Sequence, residues 1–140
     1  MEPQIISDKN KVLAIFFSKR LKVKVGQGIR FLTPENYSLQ IGLLEHKKRW
    51  LVPPHIHRDL VSKAKTRKSQ EFVYVEKGQN IVVKVFNSTW QEMAEIMMST
   101  GDFILFVSGG HSLDIPPACR LLEVKTGPYP GDNLAKIFKN

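Results

Sequence analysis

The segment Pro53-Pro54-His55-Ile56-His57, with Glu71 leading into Phe72-Val73-Tyr74-Val75-Glu76, decides how this chain is read. Alternating β-branched and aromatic residues mark both stretches as strands. On a strand successive side chains point to opposite faces, so the two histidines of His55-Ile56-His57 share one face. His111 comes much later, after Gly109-Gly110. Three imidazoles and one carboxylate form an N/O ligand set suited to a divalent transition metal, whether Zn, Mn, Fe, Ni or Co. The same four residues also suit a polar lining bonded internally and to water.

Working outward, further strands are expected at Val12–Phe17, Ile29–Phe31, Ser38–Glu45, Trp50–Val52, Glu71–Glu76, Asn80–Phe86, Asp102–Val107 and Cys119–Lys125. Lys77-Gly78-Gln79-Asn80 has the composition of a hairpin turn between two of them. Ser88–Met98 reads either as a helix capped by Ser88 or as a strand, Met93–Met98, pairing with Ile81–Phe86; the surrounding strands favour the second. Leu134–Phe138 suits a short helix or a strand equally. Many short strands separated by Gly and Pro indicate an all-β sandwich or barrel. The 140 residues suit one domain with one core.

Composition narrows the function classes. The chain is 42% hydrophobic and 24% charged, ordinary for a globular protein. No apolar run approaches the roughly 20 residues that span a bilayer. Met1-Glu2-Pro3-Gln4 does not begin a secretory signal, so a cytoplasmic location is the default expectation. Cys119 is the single cysteine, which excludes an intrachain disulfide and suggests a buried, inert thiol. The net charge of +8 attracts anions, and Arg58, Lys63, Lys65, Arg67 and Lys68 concentrate part of it. No aromatic residue is interleaved among them, which argues against nucleic acid and for a solvated loop.

Taken together, the strands and the His/Glu pattern resemble the cupin superfamily. Its first motif carries a His-x-His pair, a Glu, six residues and a Gly, as in His55-Ile56-His57, Glu71 and Gly78. Its second begins Gly-Asp and ends on a His, as in Gly101-Asp102 and Gly109-Gly110-His111. The resemblance spans Leu43 to Lys125. Thirteen residues, Arg58 to Gln70, separate the second His from the Glu, more than the family usually has. Such a loop is tolerable because closure entropy grows slowly with length. His111 stands one residue early, a shift that Gly109-Gly110 can absorb through unusual backbone angles.

The resemblance implies a jelly-roll β-barrel with His55, His57, Glu71 and His111 as metal ligands and Glu71 as a proton-handling catalytic group. It implies a small polar or carbohydrate-derived ligand and a homodimer paired through edge strands. Cupins include enzymes and plain binding proteins, so the fold does not choose between them. A metal-free sugar-nucleotide isomerase or epimerase, and a non-catalytic binding module, stay open beside the metal-dependent reading. Among other residues, Trp50, Phe72, Tyr74 and Phe106 are expected in the core. His46 and Asp114 are expected at the surface, and Glu123 as a possible extension of the polar lining. Tyr37 and Tyr129 are expected either to face a ligand or to anchor loops.

Overall fold

The computed structural model describes residues 2–18, 29–62, 65–128 and 132–140. Two strands, β1 (Gln4–Asp8) and β2 (Lys11–Phe16), form a hairpin of their own. The body comprises β3 (Arg30–Phe31), β4 (Leu39–Glu45), β5 (Trp50–His57), β6 (Leu60–Ser62), β7 (Lys65–Arg67), β8 (Glu71–Lys77) and β9 (Ile81–Phe86). It continues with β10 (Glu92–Met98), β11 (Phe103–Phe106), β12 (Gly110–Ile115), β13 (Arg120–Thr126), a four-residue helical turn α1 (Asp132–Ala135) and β14 (Lys136–Phe138).

Ten strands make two antiparallel sheets, ordered β10-β9-β12-β5-β14 and β11-β8-β13-β4-β3. Consecutive strands often lie in different sheets, the crossing pattern of a jelly roll. Between the sheets lies a core that includes Leu44, Val73, Val75, Ile81, Val83, Met98, Leu113, Ile115 and Leu121. The period-2 burial of β8 shows how the pleat builds it: Glu71, Val73 and Val75 are buried while Phe72 and Tyr74 are only half-buried. The expectation that Phe72 and Tyr74 belong to the core therefore fails. They occupy the opposite face, where Phe72 meets the exposed Phe103 ring at 5.8 Å.

The residues between the histidines and Glu71 are not a plain loop. Their backbone forms the β6–β7 hairpin, whose base is tied by Ser69 Oγ donating to Arg58 O at 2.7 Å. Arg58 and Lys68 are exposed, while Lys63 and Tyr129 lie outside the described residues. Ser88–Met98 resolves as a strand paired with β9, and the C-terminal segment as a helical turn followed by a strand.

Lys77–Asn80 is a turn but not a hairpin, because β8 and β9 belong to different sheets. Gly78 sits there at φ 142°, and a Cβ on it would lie 2.6 Å from Cys119 Sγ. Cys119 is buried, as an inert thiol should be. His46 contradicts its assignment to the surface: it is buried and stacked on Trp50 at 4.6 Å. Asp114 is half-buried and paired with Arg49. Tyr37 is half-buried in a turn where its carbonyl accepts from Gln40 Nε2 at 3.1 Å.

Candidate metal centre

Strand β5 brings the His-x-His pair inside by breaking its own alternation. His111 lies opposite His55, yet Leu113 lies opposite Val52. Two steps along β12 thus match three along β5, which is a β-bulge at Pro53-Pro54. Upstream of it, Trp50 and Val52 turn inward and Leu51 is 57% exposed. Without the extra residue, His55 and His57 would share the outward face of Leu51. Proline suits the place because a bulge leaves backbone donors unused.

His111 reaches the same space from β12, whose residues His111, Leu113 and Ile115 are all buried. The turn before it depends on Gly109, at φ 74°, where a Cβ would meet Phe86 O at 2.4 Å. The neighbouring strand supplies Glu71, the first residue of β8. Its position is secured one step upstream by Gln70 N donating to Thr126 Oγ1, and by Thr126 N donating to Gln70 O, both at 3.1 Å.

The four side chains converge. Each offers one ligand atom, and all four atoms lie within 4.8 Å of one another. His55 Nε2 is 3.2 Å from His57 Nε2, and Glu71 Oε2 is 2.5 Å from His57 Nε2 and 3.4 Å from His111 Nε2. His55 and His111 are each 1% exposed and Glu71 is 5% exposed, so water does not disperse the charge of this group.

Their protonation suits ligation. Burial pushes His55 down to about 3, with repulsion from His111 and Lys136 adding to it. His111 is lowered for the same first reason, burial, against the opposing pull of Glu71. Burial disfavours ionisation of Glu71, but His111 and His57 together outweigh it and hold the carboxyl well below its usual range. The result is a carboxylate beside the neutral imidazoles of His55 and His111.

The tautomer of His55 follows from its partner. A carbonyl only accepts, so the contact between His55 Nδ1 and Pro53 O at 2.7 Å puts the proton on Nδ1. Nε2 then offers its lone pair to the shared centre, the outer-sphere arrangement typical of metal-ligating histidines. His111 Nε2 is buried and, beyond the long 3.4 Å approach of Glu71 Oε2, has no hydrogen-bond partner among the described residues. An unpaired buried nitrogen is costly, and a cation at the common centre would satisfy it. The group therefore fits a metal ion. Phe106, stacked on the His111 ring at 3.7 Å and 9°, holds that imidazole in plane.

Beside the four residues opens a cavity of about 200 Å³, lined by His55 and Glu71 and by apolar residues such as Leu44, Val73, Leu113 and Leu121. Glu123, Lys125, Lys136 and Phe138 complete part of its wall. Glu123 does extend the polar lining. Burial, reinforced by the Glu71 charge and opposed by Lys125, pushes it up to about 8. The burial of Lys125 is not legible in the sequence, because a single lysine in an amphipathic strand carries no signal of it.

No protein-family model matches this sequence, and no curated protein is significantly similar to it. Solved structures do resemble it. A cupin-2 domain protein from Shewanella frigidimarina superposes with a TM-score of 0.52 at 13% identity, over 75% of this chain and 85% of that one. Oxalate oxidase in complex with the substrate analogue glycolate superposes at 0.52 and 15% identity over 72% of this chain. The match covers 46% of the oxidase, under half its length. Oxalate decarboxylase of B. subtilis gives 0.52 at 17% identity, over 73% of this chain and 24% of that one. At such identities the likeness defines the fold: this chain has the cupin jelly roll. No helix among the described residues is long and apolar enough to cross a membrane.

Proposed function

We propose that this protein binds a divalent transition metal through His55, His57, Glu71 and His111 and acts on a small polar or carbohydrate-derived molecule in the adjoining cavity. The observation that carries the reading is the convergence of three imidazole nitrogens and one carboxylate oxygen within 4.8 Å, in a buried setting. Zn, Mn, Fe, Ni and Co all accept such a mixed set. A bound ion would polarise a carbonyl or hydroxyl oxygen of the substrate, or activate water or dioxygen. The chain supplies the rest. Pro53 orients His55, Phe106 braces His111, and Glu71 sits where the ligand group meets the cavity, as proton acceptor or ligand.

A second copy is part of this reading. Met93, Met97, Phe103 and Leu105 are all more than half exposed and lie on β10 and β11, each at the edge of its sheet. Pairing along such an edge would cover them. Sedimentation velocity is expected to show a dimer; a monomer at all concentrations removes this element.

The test of the metal reading is elemental mass spectrometry on protein purified without chelator. Near-stoichiometric metal is expected in the wild type, with loss in the His55→Ala/His57→Ala double variant. Equal metal in both defeats the ligand assignment.

A further inference from the structure

Strand β13 turns Leu121, Glu123 and Lys125 toward the space between the sheets, and only the first is apolar. The side chain of Lys125 is 4% exposed and that of Glu123 is 13% exposed, with Nζ 3.0 Å from Glu123 Oε1. The ammonium also lies 4.7 Å from the centre of the Phe31 ring. In register, Lys125 is the direct cross-strand neighbour of Glu71. Both line the cavity of about 200 Å³ that His55 also borders.

Stability does not account for this pair. Exchanging a buried ion pair for apolar residues of similar volume is often neutral or favourable. What the pair does achieve is a positive charge in a water-poor wall, one strand from the metal-ligand group, where electrostatic attraction is strong. Lys136 contributes to the same wall.

We propose that Lys125 is the substrate-binding cation of this cavity, and that the ligand is a small carboxylate carrying a second oxygen donor. This inference rests on the metal reading for the partner of that second donor. The carboxylate meets Nζ, joining or displacing Glu123, while a neighbouring hydroxyl or carbonyl oxygen faces the His55–Glu71 side. Directly opposed residues on paired strands have Cβ atoms about 5 Å apart, so both ends of a two- to four-carbon acid fit this spacing. A phosphate dianion fits less well. It is usually gripped by several donors or an arginine fork, and no arginine lines this cavity among the described residues. The apolar remainder of the wall accommodates a short carbon skeleton.

The experiment compares lactate and pyruvate with their amides by calorimetry, using protein as purified and after loading with cobalt(II). Exchanging a charged for a neutral hydrogen-bond partner predicts acids bound about tenfold or more tighter than amides. Lys125→Met is expected to abolish the preference, weakening the acids far more than the amides, while metal content stays unchanged. Glu123→Gln, which keeps a neutral partner beside Nζ, is expected to preserve the preference. No preference in the wild type, including no binding of either, overturns the proposal, as does a preference that survives in Lys125→Met. If Lys125→Met does not fold, Lys125→Gln, which keeps a donor without the charge, decides: an acid preference that survives in it overturns the proposal. A wild type that takes up no metal defeats the metal reading alone, because acid-over-amide preference in that protein still judges Lys125.

Discussion

The carbonyl of Pro53 accepts the Nδ1 proton of His55, two residues further along the same strand, at 2.7 Å. One bulge thereby performs two tasks. It turns the His-x-His pair inward, and its own carbonyl selects the tautomer that leaves Nε2 open. Deleting Pro54 removes the extra residue and should send both histidines outward. The expected result is a protein that still shows β-sheet circular dichroism but has lost its metal by elemental analysis. Pro53→Ala keeps the carbonyl and should retain the metal. Full metal content in the Pro54 deletion would disprove the role of the bulge.

Phe106 supplies the stacked face that orients His111. Outer-sphere partners of metal ligands typically contribute tenfold or more to affinity, so Phe106→Leu should weaken metal binding about tenfold. Competition against a chelator measures this. Unchanged affinity would reduce Phe106 to a core residue.

Gly109 stands at φ 74° with Phe86 O pressed against the place a Cβ would take. Gly109→Ala should destabilise the fold by ~1–3 kcal/mol, the usual cost of a non-glycine residue in this region. It should also lower metal content, because the turn delivers His111. Urea denaturation and metal analysis test the two effects separately.

In metal-free protein the acid side of the stability profile belongs to His55. Its folded pKa of about 3 lies below the ordinary 6.5, so the unfolded chain binds more protons between these values. Stability should therefore fall as pH drops from 6.5 toward 3, by at most on the order of 5 kcal/mol from this residue. Lowered His111 acts in the same direction. Thermal melts of chelator-treated protein between pH 7 and 4 check it, and a flat profile would contradict the neutral, buried assignment.

Glu123 shapes the alkaline side with the opposite sign. Its folded pKa of about 8 lies above the ordinary 4.5, so its contribution is complete below 4.5 and is lost as pH rises through 8. Melting temperatures of the wild type should decline between pH 6 and 9. Glu123→Gln, which cannot ionise, should flatten that decline.

Much of this architecture was legible in the chain. Alternation located most of the strands, and the types and order of His55, His57, Glu71 and His111 marked a ligand group before any contact was known. Local chemistry suffices there, since a strand's pleat and an imidazole's ligating power are properties of short segments. Hydrophobicity alone misleads at Phe72 and Tyr74, which are as apolar as their neighbours but fall on the other face of the β8 pleat. His46 looked exposed among charges, yet Trp50 covers it.

Three features required the assembled fold. The inward turn of the histidines depends on a register mismatch between β5 and β12, strands more than fifty residues apart in the chain. The Gly78 turn passes from one sheet to the other, which its composition, shared with hairpins, does not reveal. Burial of Lys125 arises where β13 lies beside β8, with Lys125 opposite Glu71, and a lone lysine carries no trace of it. Residue chemistry and periodicity are written along the chain, whereas register, the choice of sheet and the neighbours of a charge are relations between distant segments that exist only once they have packed.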